Sequence, residues 1–309
     1  MSYFDNLLKK IPKIKKILDN DKNSTIYHYT KPEKLLNILK SASIRFSNAL
    51  YLNDKDEIAY SYKLIVKLID ETPNLETDVF EKIKNHFISK YKHIIDGEID
   101  SKIELEYFTT SFSSENDNLT LWNNYSKGKS YTGYNIGFNK DLLIKDMIEK
   151  EFHPIYGSVI YDTKKQAKIL TSIFKKWNTQ IKNLSKTRKN YEVHLFDLIF
   201  ELIDILSIVS LFFKNPQFNN EKEYRIVLVN GVDIKSAKQT KIIEKNGLFI
   251  PYIEYNFSHN TVSNVNIGPT LDERIFYAST NRMLMNYGYE NIDVRKSKTY
   301  NWYDGKTRL

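Results

Sequence analysis

The chain has 309 residues, of which 41% are apolar and 27% charged. This composition is enough for one large or two modest hydrophobic cores, so it excludes disorder for most of the chain. The 46 Lys and Arg residues outnumber the 38 Asp and Glu residues, and the net charge of +8 favours partners that carry phosphate or an anionic surface. The absence of cysteine excludes disulfides, thiolate metal sites and thiol nucleophiles, and a reducing cytoplasm is the expected location.

Two segments have some features of membrane or export signals, but neither has the right pattern. Five lysines between residues 9 and 16 stand where an export signal has its apolar core. Residues 195–213 are strongly apolar, but three acids in them would be costly in lipid, and their spacing places them along one side of a helix: Asp197, Glu201 and Asp204. This segment is therefore predicted to be a core helix with a polar edge, and no membrane insertion is expected.

Apolar periodicity and the positions of Pro, Gly and Asn predict the elements of the first half of the chain. An amphipathic helix is predicted at 3–20, a strand at 25–29, a helix starting at 31–33, a strand at 43–47 and a helical pair at 58–93, broken at 72–74. Strands are predicted at 106–113, 134–138 and 157–161, with a turn at 121–125.

The second half begins with two long helical patterns, 164–190 and 191–214, which are predicted to form a hairpin. Strands follow at 224–229, 247–252 and 262–267, then a helix at 272–287 and a strand at 292–297. Strict alternation of strand and helix is missing, so the predicted class is α+β with a mixed or mainly antiparallel sheet. Without repeats or a Gly/Ser linker, residues 1–309 are predicted to form a single domain with a helical insert at 164–214.

Common catalytic signatures are absent: the sequence contains no glycine-rich nucleotide loop, zinc-protease motif or serine-hydrolase elbow. Its six histidines are scattered, and only His86 and His93 fall on one helical face. A solvated surface pair is the favoured interpretation of those two, so no metal site is predicted.

Three separated segments carry residues that suggest a site, and the middle one, residues 111–113 with 122–125, brings aromatic side chains to a polar loop. His28 and Thr30 lie two apart on one side of a predicted strand. Far along the chain, Glu221 and Glu223 share one face at the start of another strand, with Lys222 opposite. Taken singly, a strand histidine is more often structural, and such a pair of acids is more often a solvated edge.

Their order along the chain nevertheless resembles a known pattern. The segments are 27–30, 52–57, 112–113 with Trp122 and Tyr125, 137–138, 221–225 and 267–269. Together, over roughly residues 25–298, they resemble the bacterial family known as domain of unknown function 2971. That family looks like a distant branch of the ADP-ribosyltransferase superfamily, whose members carry a His, an aromatic residue and a Glu on successive strands. The resemblance implies small sheets of that type with an inserted helical hairpin.

The resemblance also implies roles in binding NAD as a substrate, with no metal. His28 would hydrogen-bond the adenosine ribose with Thr30 beside it, and Phe112 would lie under the nicotinamide where relatives often have Tyr. Glu223 would be the catalytic carboxylate, with Glu221 as the second acid of the site. Two further residues complete the implied cofactor site: Arg45 and Tyr125. The sequence departs from the family pattern at Phe112, which has no hydroxyl.

The chemistry of NAD cleavage calls for the same residue types. Breaking the nicotinamide glycosidic bond develops oxocarbenium character, which a carboxylate bound to the ribose 2′-hydroxyl stabilises. A cation such as Arg45 or Arg225 would pair with the pyrophosphate. For Arg225, a salt bridge to Glu221 or Glu223 is an equally good interpretation.

The predicted hairpin begins with a strongly basic stretch: residues 163–190 contain nine basic residues and no acid. Apolar residues form one stripe of the predicted helix, so the lysines face solvent. A solvated basic face is the favoured interpretation, followed by contact with RNA or DNA phosphates, and then by an anionic membrane or acidic partner. The candidate nucleic-acid contacts are Lys168, Lys175, Lys176 and Lys182.

The resulting functional hypothesis is an NAD-dependent ADP-ribosyltransferase with a macromolecular acceptor, for which RNA or DNA is the leading candidate. The family resemblance implies a bacterial phage-defence or toxin component, with an antitoxin or neighbouring defence protein as a partner. The alternative is a non-catalytic nucleic-acid-binding protein that retains the transferase-like fold. In a third hypothesis the helical insert docks a partner protein or a second copy.

Overall fold

A computed structural model describes residues 9, 18, 23–51, 55–96, 106–126, 132–184, 190–230, 240–245, 247–270 and 273–299. The helix predicted at 3–20 lies outside these residues, apart from two single positions. The part of the chain that the structure describes contains ten strands and eight α-helices.

The strands are β1 (Thr25–Thr30), β2 (Ser43–Asn48), β3 (Glu106–Ser113), β4 (Tyr134–Asn139), β5 (Ile155–Ser158), β6 (Glu223–Asn230), β7 (Thr240–Lys245), β8 (Leu248–Asn256), β9 (Val262–Ile267) and β10 (Asp293–Lys296). The helices are α1 (Pro32–Ser41), α2 (Lys55–Glu71), α3 (Thr77–Asp96), α4 (Leu119–Tyr125), α5 (Lys140–Glu149), α6 (Thr163–Asn183), α7 (Tyr191–Ser210) and α8 (Glu273–Asn286).

The strands form one mixed sheet. Its main order is β10-β9-β4-β1-β3-β2-β8-β7, and β6 lies off this order, where it pairs with β3 and β5. β9 and β10 run parallel, whereas β1 is antiparallel to both β3 and β4, and β8 is antiparallel to both β2 and β7. The prediction of an α+β protein with a mixed sheet is therefore confirmed.

Two elements were not predicted from the sequence, and two predicted elements differ. β7 escaped prediction because it is an edge strand without a buried face, so its sequence lacks the alternation that marks a strand. Helix α5 was also missed, although Asn139 caps it by accepting a hydrogen bond from the Leu142 amide. The turn predicted at 121–125 is the short helix α4, and the strand predicted at 157–161 is β5.

The chain clusters into two compact units, each assembled from separate stretches of sequence. Unit 1 takes its residues from 1–20, 49–106 and 157–219, and unit 2 from 21–48, 107–156 and 220–309. The single domain expected from the sequence stays a prediction.

Unit 1 is built from helices α2, α3, α6 and α7. The apolar stripe predicted for α6 is buried at five positions, whereas its last residue, Leu184, follows the helix and is half-buried. The buried residues are Leu170, Ile173, Phe174, Trp177 and Ile181. Helix α7 is a core helix only in its second half, where Ile205 to Ser210 are buried. In its first half Phe196 is 60% and Phe200 48% exposed, and their rings pack against each other at 4.3 Å. The prediction of a core helix along the whole segment is therefore wrong for its first half.

Unit 2 contains most of the sheet, with α1, α5 and α8 contributing to its apolar core. Asp146 on α5 stabilises this unit as a polar junction, because it accepts hydrogen bonds from the Tyr255 hydroxyl and from both the amide and the hydroxyl of Ser258. Lys150 Nζ also donates to Asp146, at 2.9 Å.

Candidate functional site

The candidate site lies in unit 2, where β1 and β3 separate. These strands pair at a single antiparallel position, Tyr27 opposite Ser113. Next to it, the His28 ring bridges the two strands, because its Nδ1 lies 3.1 Å from the Ser111 carbonyl oxygen. A carbonyl oxygen only accepts, so Nδ1 carries the proton in this contact and Nε2 of the neutral ring is left as an acceptor.

The environment of His28 favours that neutral ring. Burial lowers the pKa of His28 to about 4, and the hydrogen bond with Ser111, which acts in the opposite direction, only partly offsets it. The nearby cation Lys34 lowers this pKa further. His28 is therefore an uncharged hydrogen-bonding group at neutral pH.

Ser111 connects the histidine to the acid that the resemblance singles out. While its carbonyl oxygen contacts His28, its hydroxyl donates to Glu223 Oε1 at 2.5 Å. Ser111 is the exposed residue in a strand whose other central positions are buried. The structure thus connects His28 to Glu223 through Ser111, although 195 positions separate the two outer residues in the chain. Because Tyr27 pairs with Ser113, the Ser111 side chain lies on the Tyr27 face of the sheet and the His28 ring on the other, so this connection passes through the Ser111 backbone.

Glu223 is also paired with Arg225, two residues further along β6. Arg225 Nε donates to Oε1 at 2.7 Å and Nη2 donates to Oε2 at 2.8 Å. The side chains are 5% and 3% exposed, so this is a buried bidentate ion pair. Of the two interpretations left open for Arg225, the salt bridge to Glu223 is the one present in the structure.

Thr30 and Phe112 lie near His28 but are buried. Phe112 is 3% exposed and packs edge-on against His28, with ring centroids 5.7 Å apart, and against Phe138 at 5.8 Å. It belongs to the apolar core, so it presents little ring surface to a ligand. Thr30, at the end of β1, is also buried.

Tyr125 is not brought to His28. It packs against Tyr29 in a small aromatic cluster with Tyr27, Leu121 and Trp122. Tyr27 and Tyr29 alternate with His28 along β1, so this cluster belongs to the other face of the sheet. The register therefore puts Tyr125 on the face that carries the Ser111 side chain, whereas His28 and Phe112 lie on the opposite face.

Glu221 contacts the end of β3 through its backbone, whereas Arg45 lies on β2 with an exposed side chain. The Glu221 carbonyl oxygen accepts a hydrogen bond from the Ser113 hydroxyl at 2.8 Å, which anchors the start of β6 to the end of β3. Arg45 on β2 is exposed, and its guanidinium lies 4.9 Å from the centre of the Tyr252 ring. Arg45 also contributes to the positive surroundings of Lys34.

Ser111 is the site residue that sequence reasoning did not assign. It belongs to residues 111–113, the segment that carries the candidate aromatic residue. A single serine in a strand, however, does not indicate which groups it will bond to. The pairing of β3 with β6, which places the hydroxyl beside the carboxylate, could not be derived from local pattern.

The lysines proposed as nucleic-acid contacts lie on α6 in unit 1 and are all exposed, as predicted: Lys168, Lys175, Lys176 and Lys182. Two of them already have protein contacts. Lys182 Nζ donates to the Asn74 carbonyl oxygen at 2.9 Å and lies 3.7 Å from Glu76, and Lys176 Nζ lies 5.3 Å from the Trp177 ring.

The described residues show neither a cluster of metal ligands nor a membrane span. They contain no group of three or more His, Asp or Glu side chains arranged to hold a metal ion. Within the same residues, the helices are too short or too polar to cross a membrane.

The fold and this site define an α+β protein in which a strand histidine, a serine and a buried carboxylate are joined. Residues 121–226 match the model of a family described as "Protein of unknown function (DUF2971)". The match covers about a third of the chain and supports the family resemblance found in the sequence. It includes Glu221 and Glu223 but not His28. No curated protein and no solved structure matches the chain.

Proposed function

We propose that this protein is an NAD-dependent ADP-ribosyltransferase whose site is formed by His28, Ser111 and Glu223. The observation that carries the proposal is the hydrogen-bonded connection of these residues from three distant segments. Of the residues that the resemblance assigned, Glu223 is bound by the Ser111 hydroxyl, and His28 contacts the carbonyl oxygen of the same serine.

The chemistry follows from the groups that are present. When the nicotinamide glycosidic bond breaks, its electron pair leaves with nicotinamide and positive charge develops on the ribose. An ionised Glu223 stabilises that charge through the 2′-hydroxyl of the ribose. A nucleophile of the acceptor then bonds to the anomeric carbon and loses its proton to the carboxylate or to water. His28, neutral and with Nε2 as an acceptor, is suited to hold a ribose hydroxyl.

The buried ion pair between Glu223 and Arg225 limits how a substrate can reach the carboxylate. Both oxygens of Glu223 accept hydrogen bonds from Arg225, and Oε1 also accepts one from Ser111. A ribose hydroxyl therefore has to share or replace one of these bonds, and Ser111 is the exposed partner that can turn away. The proposal assigns no stacking role to Phe112, because its ring is buried.

The test is release of nicotinamide from NAD, measured by chromatography, with RNA, DNA and protein acceptors and with water alone. Glu223→Gln should lower the rate at least about 100-fold, because it removes the charge that the transition state requires. The matched control is Glu290→Gln, which changes an exposed residue and should leave the rate unaltered. The proposal fails if the unmodified chain neither binds NAD nor releases nicotinamide with any acceptor.

A second candidate function is that of a nucleic-acid-binding protein that retains the transferase-like fold but has no catalytic activity. The full engagement of Glu223 by Arg225 and Ser111 favours it, because a structural ion pair leaves no carboxylate oxygen for substrate. In that case binding of RNA or DNA weakens with salt, and Glu223→Gln leaves the affinity unchanged once folding is verified. Nicotinamide release that depends on Glu223 would exclude this candidate.

A further inference from the structure

The first half of α7, in unit 1, exposes apolar side chains along one stripe of the helix. Val193 is 59% exposed, and Phe196 and Phe200, whose rings pack against each other, are exposed to a similar extent. Their spacing of three and four residues puts all three on one side of the helix. The half-buried Ile203 continues this stripe towards the buried end of α7. Such a stripe is the seam that one helix presents to another in a coiled coil.

Acidic residues border the stripe on both sides. When Val193 and Phe200 are taken as positions a of a heptad and Phe196 as position d, Glu192 takes a g position and Asp197 an e position. Both acids are exposed. Helix α7 contains four acids and neither Lys nor Arg, although the whole chain has a net charge of +8. The stripe therefore combines an apolar centre with negative borders in a basic protein.

These borders favour a basic occupant over a second copy of the chain. In a parallel pair of α7 helices, Glu192 of one copy would face Asp197 of the other, because g and e positions meet across a coiled coil. In an antiparallel pair, e positions face each other, and both e positions along the stripe are acids, Asp197 and Asp204. Either pairing brings like charges together. An anionic membrane surface would repel the same acids.

We infer that the first half of α7 docks a basic amphipathic helix of a partner protein. The apolar side of that helix packs on the phenylalanine pair, and its Lys or Arg residues pair with Glu192 and Asp197. The stripe from 193 to 203 spans about 15 Å at 1.5 Å per residue, which two heptads of a partner helix cover. A lone helix of that length is marginal in water, so the partner helix belongs to a folded protein or folds as it binds.

The inference goes beyond the proposed function and does not depend on it, because the site residues of that function belong to unit 2 and α7 belongs to unit 1. Its test therefore needs no NAD. Success or failure of peptide binding leaves the measurement of nicotinamide release untouched.

The test uses two fluorescent peptides of three heptads with Leu at positions a and d, one with Lys and the other with Glu at positions e and g. Anisotropy measures their affinity for the full chain at about 150 mM salt. We expect the Lys peptide to bind at least about 10-fold more tightly than the Glu peptide. The net charge of +8 opposes this preference, so the preference has to come from a local acidic site.

Removal of the exposed rings tests the apolar centre of the stripe. Phe196→Ser with Phe200→Ser should weaken binding of the Lys peptide at least about 10-fold. The matched control is Ile242→Ser with Phe249→Ser, which replaces two exposed apolar residues of unit 2 and should leave the affinity unaltered. Circular dichroism verifies the folding of each variant.

Reversal of the border charges tests the specificity. Glu192→Lys with Asp197→Lys should exchange the preference, so that the Glu peptide binds more tightly than the Lys peptide. Misfolding weakens both peptides and cannot produce this exchange. The matched control is Glu149→Lys with Glu290→Lys, which makes the same change in net charge at exposed acids of unit 2 and should leave the preference as it is.

The inference is overturned if neither peptide binds, if the two bind equally, or if the variant without the phenylalanine pair binds as tightly as the parent chain. It is also overturned if light scattering shows a dimer of the parent chain that this variant abolishes, because the stripe then serves a second copy.

Discussion

At the scale of single residues, Ser111 is the group on which the candidate site depends. Its carbonyl oxygen contacts His28, and its hydroxyl binds Glu223. A hydrogen bond to a charged group contributes about 1.5–3 kcal/mol. The serine is therefore a positioning residue in the proposed reaction.

We expect Ser111→Ala to lower kcat for nicotinamide release about 10- to 100-fold with little change in KM, because only the orientation of the carboxylate is lost. Ser111→Thr, which retains a hydroxyl, should restore part of the rate. Steady-state kinetics measures both. Ser279→Ala on α8 is the matched control, and an equal loss of rate in that variant would contradict the assignment.

The Glu223–Arg225 pair has a predicted effect on stability. Arg225→Met leaves a carboxylate buried without its main counter-charge, which destabilises a fold by about 3–5 kcal/mol. Adding Glu223→Gln removes that charge and should recover much of the loss. Urea unfolding of the two variants and the parent chain measures the difference, and equal stability of single and double variants would show that the pair is unimportant.

The lowered pKa of His28 predicts that the stability of the fold depends on pH. The pKa of His28 is lowered to about 4 in the folded chain from 6.5, so the unfolded chain binds the proton more readily. Stability should therefore fall as the pH decreases from about 6.5 towards 4. His28→Asn should flatten this part of the curve in urea unfolding. The exposed His194→Asn should leave it unchanged, and the opposite result would refute the role of His28.

At the scale of elements, α6 combines an apolar stripe with buried polar residues that the stripe did not reveal. Gln166 donates to the carbonyl oxygens of Ile160 and Lys214 and accepts from the Tyr60 hydroxyl. Asn178 accepts from the Glu76 amide and donates to the Asn74 carbonyl oxygen, so it holds the turn between α2 and α3. These contacts position α6 within unit 1.

Gln166→Leu should destabilise the protein by about 2–3 kcal/mol, because it leaves buried polar groups without a partner. Gln180→Leu, on the same helix but half-buried, is the matched control with an expected effect below about 0.5 kcal/mol. Thermal unfolding followed by circular dichroism measures both variants. Equal melting temperatures would show that water replaces the lost bonds.

At the scale of the whole molecule, a bacterial defence or toxin role, which is what the family resemblance implies for the proposed activity, is a further prediction. Such an activity consumes NAD or modifies an essential acceptor in the cell that makes it. We expect induced expression in a bacterial host to slow growth and lower cellular NAD. Glu223→Gln should relieve both effects at equal protein level, whereas Glu290→Gln should not. Growth arrest by the Glu223 variant would point to a non-catalytic cause.

Most elements could be predicted because their signals are local. The strands at His28 and Glu223, the helical pair α2-α3 and the α6-α7 pair follow from apolar period and from Pro or Gly positions. The exposed strand β7 and the exposed first half of α7 could not, because local pattern does not say whether an apolar or polar side chain has a neighbour. Burial there depends on elements distant in sequence.

The amino-acid sequence alone determined the α+β class, the positive charge and the residue types of the site, because these depend on composition and short-range spacing. Only the tertiary structure decided that Ser111 joins His28 to Glu223, that Arg225 neutralises the carboxylate, and that Tyr125 lies with Tyr29 instead of His28. The physical reason is that strand order and register bring together groups far apart in the chain, and neither is encoded in any single segment.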